Sequence, residues 1–455
     1  MNETQKTMVF IGAAVVLGVL ALLTTPSNPT PETFSDKGEI FFPDFSDPNI
    51  ATSLEVVEFD QQTGVPRPFK VSYQGGKWTI PSHHNHPADG KDRLARTAAG
   101  VIDIAKDDIV SDNTTDHEAL NVLDPVDETS TKLSGRGKRI TIKDNGGNTL
   151  ADLIIGNQVV GREKFYYVRV PNQKRTYAAR VDLDLSTSFS DWIEKDLLLA
   201  DQAKITEVTI KDYSINERSG RLNQRDTVVL KKTDDTWRAN RMSSSQEVTS
   251  DNMDSMLGAL DSLTIVGVRP KPDGLSLSLS KVGGAGISIT QSDLRSLQSR
   301  GFYFTQDSQL VSNEGETQIR TQEGVVYTLR FGEVVFGTGE AVSAGTSADG
   351  GGAGGPGENR YLFITTEFDG KMFPEPKKPS NMSFQSKADS TWTSDDRRNS
   401  QQFTDHQTWI QQVEKGQTIS ADLNTRFAKW YYVISASSFD RVHLKRRDLV
   451  TRKAS

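Results

Sequence analysis

The chain has 455 residues, too many for one typical domain of roughly 100–200, and its 35 % hydrophobic and 25 % charged content is enough for a packed core. With 53 lysines and arginines against 60 acidic residues the net charge is -7, so the basic footprint of a nucleic-acid-binding protein is missing. The absence of cysteine excludes disulfides, thiol catalysis and cysteine-ligated zinc or iron–sulfur centres.

Met8–Leu23 is an uncharged apolar run. With its flanking threonines it approaches the ~20 residues that cross a hydrocarbon core, where a helix satisfies its own backbone. Lys6 precedes it and the next basic residue is Lys37, which favours a cytoplasmic N-terminus. The exit Ala21-Leu22-Leu23-Thr24-Thr25-Pro26 carries no small-x-small cleavage site, favouring a retained anchor over a removed signal peptide. Residues 1–25 thus read as a cytoplasmic stub and transmembrane anchor. Residues 26–48, with Pro26, Pro29, Pro31 and Pro43, read as an extended spacer.

Leu54–Phe59 and Phe69–Tyr73 alternate apolar and polar residues, as half-buried strands do, and Gln74–Lys77 is turn chemistry before Trp78-Thr79-Ile80. Leu94, Ala98, Val101, Ile102 and Ala105 recur at helical spacing. Arg139–Lys143, Leu150–Ile155 and Phe165–Val170 read as strands, and Ser186–Leu199 as a short helix carrying Phe189, Trp192, Ile193 and Leu197. From Ile205 the order starts again. Ile205–Ile210 echoes Leu54–Phe59, and the hairpin Thr227–Trp237 echoes the one ending in Trp78. Met253, Met256, Leu257, Leu260 and Leu263 form a second helical stripe. Val325–Gly332 echoes Leu150–Gly156, and Tyr361–Ile364 echoes Phe165–Val170. Gly337–Gly357 is a flexible Gly/Ala/Ser insertion with no apolar anchor, and residues 374–400 form a polar linker. Gln402–Phe427 reads as a helix interrupted at Gly416, followed by strands Trp430–Ile434 and Phe439–Leu444 and a basic tail.

The predicted fold is α+β: an N-terminal transmembrane helix, then two tandem, similar units of mainly antiparallel sheet with packed helices. The first unit spans 49–200 and the second 201–373, including the insertion 337–357. The linker 374–400 and a C-terminal segment, 401–455, follow.

Several stretches resemble a bacterial family catalogued as domain of unknown function 4340. They are the anchor, the Lys77-Trp78 hairpin, Asp191–Leu198, Gly324–Gly332, Asn359–Phe363 and Leu423–Ile434. Relatives in that family are often encoded beside ABC-type transporter subunits similar to a gliding-motility system. The resemblance implies a membrane-anchored extracytoplasmic accessory protein, single-pass in the bacterial cell (inner) membrane, with transporter subunits as partners. It brings no active site with it.

Candidate sites are few. His83-His84-Asn85-His86 is the densest histidine cluster. Imidazoles ligate zinc, nickel or copper, and a loop would let His84 and His86 converge, but no HExxH motif or partner carboxylate accompanies them. A solvated loop is the favoured reading. The glycine runs at Gly283–Gly286 and Gly337–Gly357 lack the Lys-Ser/Thr of a P-loop. No Gly-x-Ser-x-Gly elbow or Ser-His-Asp set stands out, so no catalytic residue and no cofactor is assigned. Trp78 and Trp237 read as core residues, with a sugar-binding platform as the alternative. Lys445, Arg446, Arg447, Arg452 and Lys453 read as a solvated tail, with anionic lipid as the alternative contact. The expected function is a structural or accessory component of an ABC-type envelope transport complex, not an enzyme. The alternatives are an envelope polymer or glycan-binding module and, behind it, a hydrolase.

Overall fold

The computed structural model describes residues 36–216, 221–280, 289–305, 309–336, 342–344 and 358–453, with Met8, Ala14, Val15 and Leu17 near the N-terminus. The rest of the predicted anchor Met8–Leu23 lies outside the described residues. Among those described, no helix is long and apolar enough to cross a membrane.

Alternating apolar positions build a mostly antiparallel α+β fold. The first sheet comprises β1 (Ser53–Asp60), β2 (Val65–Gln74), β3 (Lys77–Ile80), β4 (His86–Pro87), β5 (Ile109–Ser111), β6 (Lys138–Lys143), β7 (Thr149–Gln158), β8 (Phe165–Arg169) and β9 (Thr176–Arg180). Their spatial order is β4-β3-β2-β1-β6-β7-β8-β9-β5. Helix α1 (Lys91–Ile102) carries the chain from the β4 edge towards the β5 edge and buries Leu94, Ala98 and Val101.

The second sheet is built from β10 (Ile205–Asn216), β11 (Arg221–Thr233), β12 (Thr236–Ala239), β14 (Gly267–Pro270), β17 (Glu316–Thr321), β18 (Val325–Val335), β19 (Asn359–Phe368) and β20 (Trp430–Ile434). Two short ribbons accompany it: β13 (Gln246–Val248) with β21 (Val450–Arg452), and β15 (Phe302–Phe304) with β16 (Leu310–Ser312). Its order, β12-β11-β10-β17-β18-β19-β20-β14, repeats that of the first sheet strand for strand once β4 is set aside. Helix α2 (Ser250–Asp261) takes the place of α1 and buries Met253, Met256, Leu257 and Leu260. Trp78 and Trp237 hold the same position on β3 and β12, but both are half-buried at the margin of the core rather than inside it.

The correspondence extends to an irregularity. The ladder slips between Ile155 and Gln158 on β7 and between Phe331 and Val334 on β18, each time at a glycine, Gly156 or Gly332. A covering loop crosses the sheet at each slip. Asn157 N–H donates to the Leu120 carbonyl at 3.1 Å, and Glu333 N–H to the Arg300 carbonyl at 2.9 Å. The loop then turns at a positive-φ residue, Asn121 (59°) or Gly301 (80°). A Cβ on Gly156 or Gly332 would collide with that same carbonyl oxygen, so only glycine admits the crossing.

Several sequence-based expectations need correction. The spacer 26–48 extends too far, because from Asp36 on the chain is docked. Gly38 and Phe41 N–H groups donate to the Lys106 and Ile104 carbonyls, and Phe45 is buried. Ser186–Leu199 is not a helix beyond the single turn Phe189–Asp191. Phe189, Trp192, Ile193, Leu197 and Leu198 are all buried without a helix, so their spacing reports burial and not secondary structure.

The linker 374–400 and the segment 401–455 are not a separate end of the molecule. β20 sits inside the second sheet between β19 and β14, so what precedes it is an insertion where the first unit has only the turn Val170–Arg175. Besides α3 (Asp273–Ser280) and α4 (Gln291–Gln298), that unit gains the long helix α5 (Ser394–Ala428). Helix α5 starts at the capping box of Thr393 and Asp396 and runs through Gly416, which is buried where the helix meets the Glu323 carbonyl and the Phe368 ring. Phe439–Val442 is helical, not extended, and His443 and Leu444 lie beyond the helix: Ser435 caps α6 (Ala436–Val442) by accepting from Ser438 N–H. The basic tail is folded as α7 (Arg446–Leu449) and β21, and the Arg446 guanidinium binds Asp226 at 2.8 Å and the Asn240 carbonyl at 2.8 Å.

The crossing glycines give a direct test. Gly156→Ala and Gly332→Ala should each cost about 1–3 kcal/mol in denaturant unfolding, the usual range for forcing extra volume into packed structure. Gly258→Ala, inside α2 with open space around its Cβ, should instead stabilise by roughly 0.5–1 kcal/mol.

Candidate functional site

The histidine cluster is only in part a solvated loop: His84 and Asn85 are exposed, whereas His83 is buried and His86 half-buried in a seam between the two sheets. β3 ends at Ile80, Pro81–His83 forms one tight turn, and His84 and Asn85 both adopt φ 57°. That reversal drives His83 inward and buries it. Its Nδ1 lies 3.0 Å from Ser82 Oγ, and its Nε2 lies 2.8 Å from Ser343 Oγ in the insertion that follows β18. The ring stacks on Phe189 at 4.7 Å. His84 Nε2 donates to the Ala344 carbonyl at 2.7 Å. His86 Nδ1 donates to its neighbour Pro87 carbonyl at 2.8 Å while the ring packs on Trp430 at 4.9 Å. The candidate ligands His84 and His86 are therefore directed at different partners. Among the described residues no group of three or more His, Cys, Asp or Glu side chains could hold a metal ion.

Seam electrostatics oppose protonation. Burial, then the neighbouring His84, His86 and Arg269, push His83 down to about 4. Burial also pushes His86 down to about 4, against the Pro87 hydrogen bond and with help from Arg426. Arg269 donates to the Ser343 carbonyl at 3.1 Å, so the short segment Val342–Ala344 is held from both sides. Val342 and Ala344 are buried, and a Cβ on Gly267 would strike the Val342 carbonyl. The insertion thus has an apolar anchor after all; the remainder of Gly337–Gly357 lies outside the described residues. The one signal in its sequence is Val342, the single branched aliphatic residue of the run.

A second strand of the seam runs through Asp191–Leu198. Trp192 is wholly buried, 5.9 Å from Phe69, with its Nε1 donating to the Ser186 carbonyl at 2.9 Å. Gly90 N-caps α1 beside it, and a Cβ there would press on Val71 and the Trp192 ring. A few residues on, Arg426 of α5 donates to the Asp196 and Leu197 carbonyls at 3.0 and 3.2 Å. Buried residues of both sheets consequently form one continuous apolar cluster.

Two buried polar groups escaped sequence reasoning. Lys271 Nζ donates to the Phe427 carbonyl at 3.0 Å and lies 3.9 Å from the Phe363 ring, and burial drives its pKa well below the lysine range. It serves as a cap for the last turn of α5. Glu316 is buried on β17 directly opposite Lys211 of β10 and Arg330 of β18, which pair with it at 2.7 and 3.3 Å. Its carboxylate is fully engaged and locks the register of three strands. Trp237 behaves differently: with Met242 and Met253 it lines an open groove of about 710 Å³ beside β12.

Two outcomes are expected. Trp192→Ala should cost about 3–5 kcal/mol, more than Trp78→Ala or Trp237→Ala, and wild type and variants should unfold in a single transition because the core is continuous. Stability should also fall as pH drops from 6.5 towards 4, where the unfolded chain binds protons that folded His83 and His86 refuse. The slope is up to roughly 1.4 kcal/mol per pH unit per histidine, and this contribution levels off below the folded values. Denaturant unfolding of His83→Gln at several pH values should show a shallower loss than wild type.

No curated protein and no solved structure matches the chain. A family match does exist, over residues 78–280. It takes in Trp78 and the Asp191–Leu198 stretch, whereas Gly324–Gly332, Asn359–Phe363 and Leu423–Ile434 fall beyond it. This segment, which runs from β3 of the first sheet to the end of α3 in the second, matches the family described as Domain of unknown function (DUF4340).

Proposed function

We propose that this chain is a structural or accessory component of an ABC-type envelope transport complex, held in the bacterial cell (inner) membrane by Met8–Leu23 with its bulk outside the cytoplasm. Its body is two tandem copies of one α+β unit. The observation that carries this reading is the seam. His83, His84, Trp192 and Arg426 join the copies through a shared core instead of leaving them hinged on a linker. Paired domains that close on a substrate need a mobile joint, whereas a part that holds other subunits in position needs a stiff one. The apolar run and its single upstream lysine support the anchor and its orientation.

The full chain should remain in membranes after an alkaline wash, and a reporter fused after Ser455 should be active only outside the cytoplasm. Extraction in mild detergent followed by mass spectrometry should recover a transporter permease and its ATP-binding subunit with the chain. Recovery of the chain alone would count against the accessory role, and a shortened, freely soluble form would count against the anchor.

A further inference from the structure

Exposed apolar side chains gather at the corner of the first sheet where the chain enters the folded body. Asp36 accepts from the Tyr177 hydroxyl of β9 and pairs with Lys106 at 3.0 Å. Lys37 pairs with Asp107 and Asp108 at 2.8 and 2.7 Å, and Arg162, from the turn between β7 and β8, reaches the same two carboxylates. Three apolar residues are bracketed by this cluster. Ile40 bridges to Ala105, Ile109 follows Asp108 into β5, and Val160 stands two residues before Arg162. Ile40 and Ile109 are each 40 % exposed, and Val160 is 93 % exposed. Val160 sits at the apex of a turn in which Val159 N–H donates to the Phe165 carbonyl at 2.7 Å and Gly161 adopts φ 77°. Polar residues and glycine ordinarily fill such an apex, so a bare valine there points to a contact outside the chain.

We propose that this corner rests on the lipid surface of the membrane that Met8–Leu23 spans, with Val160 inserted among the headgroups; the inference rests on the anchor reading above. The length of chain outside the body supports it. Residues 24–35 separate the anchor from Asp36, and fully extended they bridge no more than ~45 Å. A folded chain of this length is roughly 55 Å across, so the side bearing Asp36 cannot swing away from the bilayer. So short a tether also keeps the corner near the surface at an effective concentration of millimolar order. A few apolar side chains then suffice where they would not in free solution. Charge permits the approach. Lys37 and Arg162 balance Asp107 and Asp108, and Lys164 pairs with Asp182 at 2.7 Å, so neither sign dominates the cluster and the contact is apolar and independent of anionic lipid. The consequence is a fixed orientation. The β5 edge of the first sheet faces the bilayer, and the β4 edge, where the seam to the second unit runs, points away from it.

The chain has no cysteine, so single cysteines report without background. Val160→Cys, Leu17→Cys and Lys77→Cys, each labelled with the polarity-sensitive fluorophore NBD, are compared in full-length protein reconstituted into phosphatidylcholine vesicles. Lys77 is exposed on β3, towards the opposite edge of the sheet, and neither it nor Val160 belongs to the core, so these replacements leave the fold intact. Lipids carrying a doxyl quencher high on the acyl chain should remove about half of the emission at positions 160 and 17 and leave position 77 unchanged, in low and high salt alike. Quenching at 17 without quenching at 160 would overturn the surface contact and leave the anchor in place. No quenching at 17 would overturn the anchor and the contact with it. Equal quenching at 77 and 160 would overturn the orientation, and loss of quenching at 160 in high salt would overturn the apolar contact. Shielding of position 160 in native membranes, with none in pure lipid, would assign the corner to a protein partner instead.

Discussion

The architecture depends on burying Trp192. The indole fills the space between β2 and α1 of the first unit, yet it is carried by the segment that leads into the second. A connection between domains usually crosses the surface with few contacts. Here the connection is itself core, since Phe189, Trp192, Ile193, Leu197 and Leu198 are all buried and α5 grips the backbone at Asp196 and Leu197. Without cysteine there is no covalent staple, so the joint rests on packing and on hydrogen bonds to buried carbonyls.

A shared plan lets each unit explain the other. Both tolerate a backbone crossing over the sheet at one glycine bulge, and both send a helix from the hairpin edge to the opposite edge. They diverge in what lies around that frame. The first unit covers its sheet with the loop around His117–Val122. The second does so with α3, α4 and the β15–β16 ribbon, and inserts α5 between two neighbouring strands. Burying Glu316, Tyr213 and Lys271 under this larger cover requires paired partners for each, which the sheet and the end of α5 supply.

Much of this was legible in the amino-acid sequence, for physical reasons. Alternation at Leu54–Phe59 and Ile205–Ile210, and the stripes of α1 and α2, arise because each element buries one face, and that pattern survives in sequence. β5, β14 and β20 are short or buried on both sides and leave little periodic trace, and nothing local to Trp430–Ile434 marks it as an inner strand of the second sheet. Ser186–Leu199 has apolar residues at helical spacing, yet all of them are buried in a segment whose one turn is Phe189–Asp191, so burial alone sets the spacing. The seam was invisible for another reason: His83 and Ser343 are far apart in the chain, and nothing local marks either as a partner of the other.

The strand order has a consequence for how the chain is made. The first sheet closes with residues that end at Arg180. In the second, β14 pairs with β20 and β13 with β21, so Gly267 must find Val433 and Gln246 must find Arg452. Non-local pairings are slow to form because chain entropy is lost before contacts compensate for it. During vectorial synthesis the first unit can fold early, while the second holds several apolar strands open until its distant partners emerge. The half-made second sheet is therefore the stage at which this protein most needs protection from other chains.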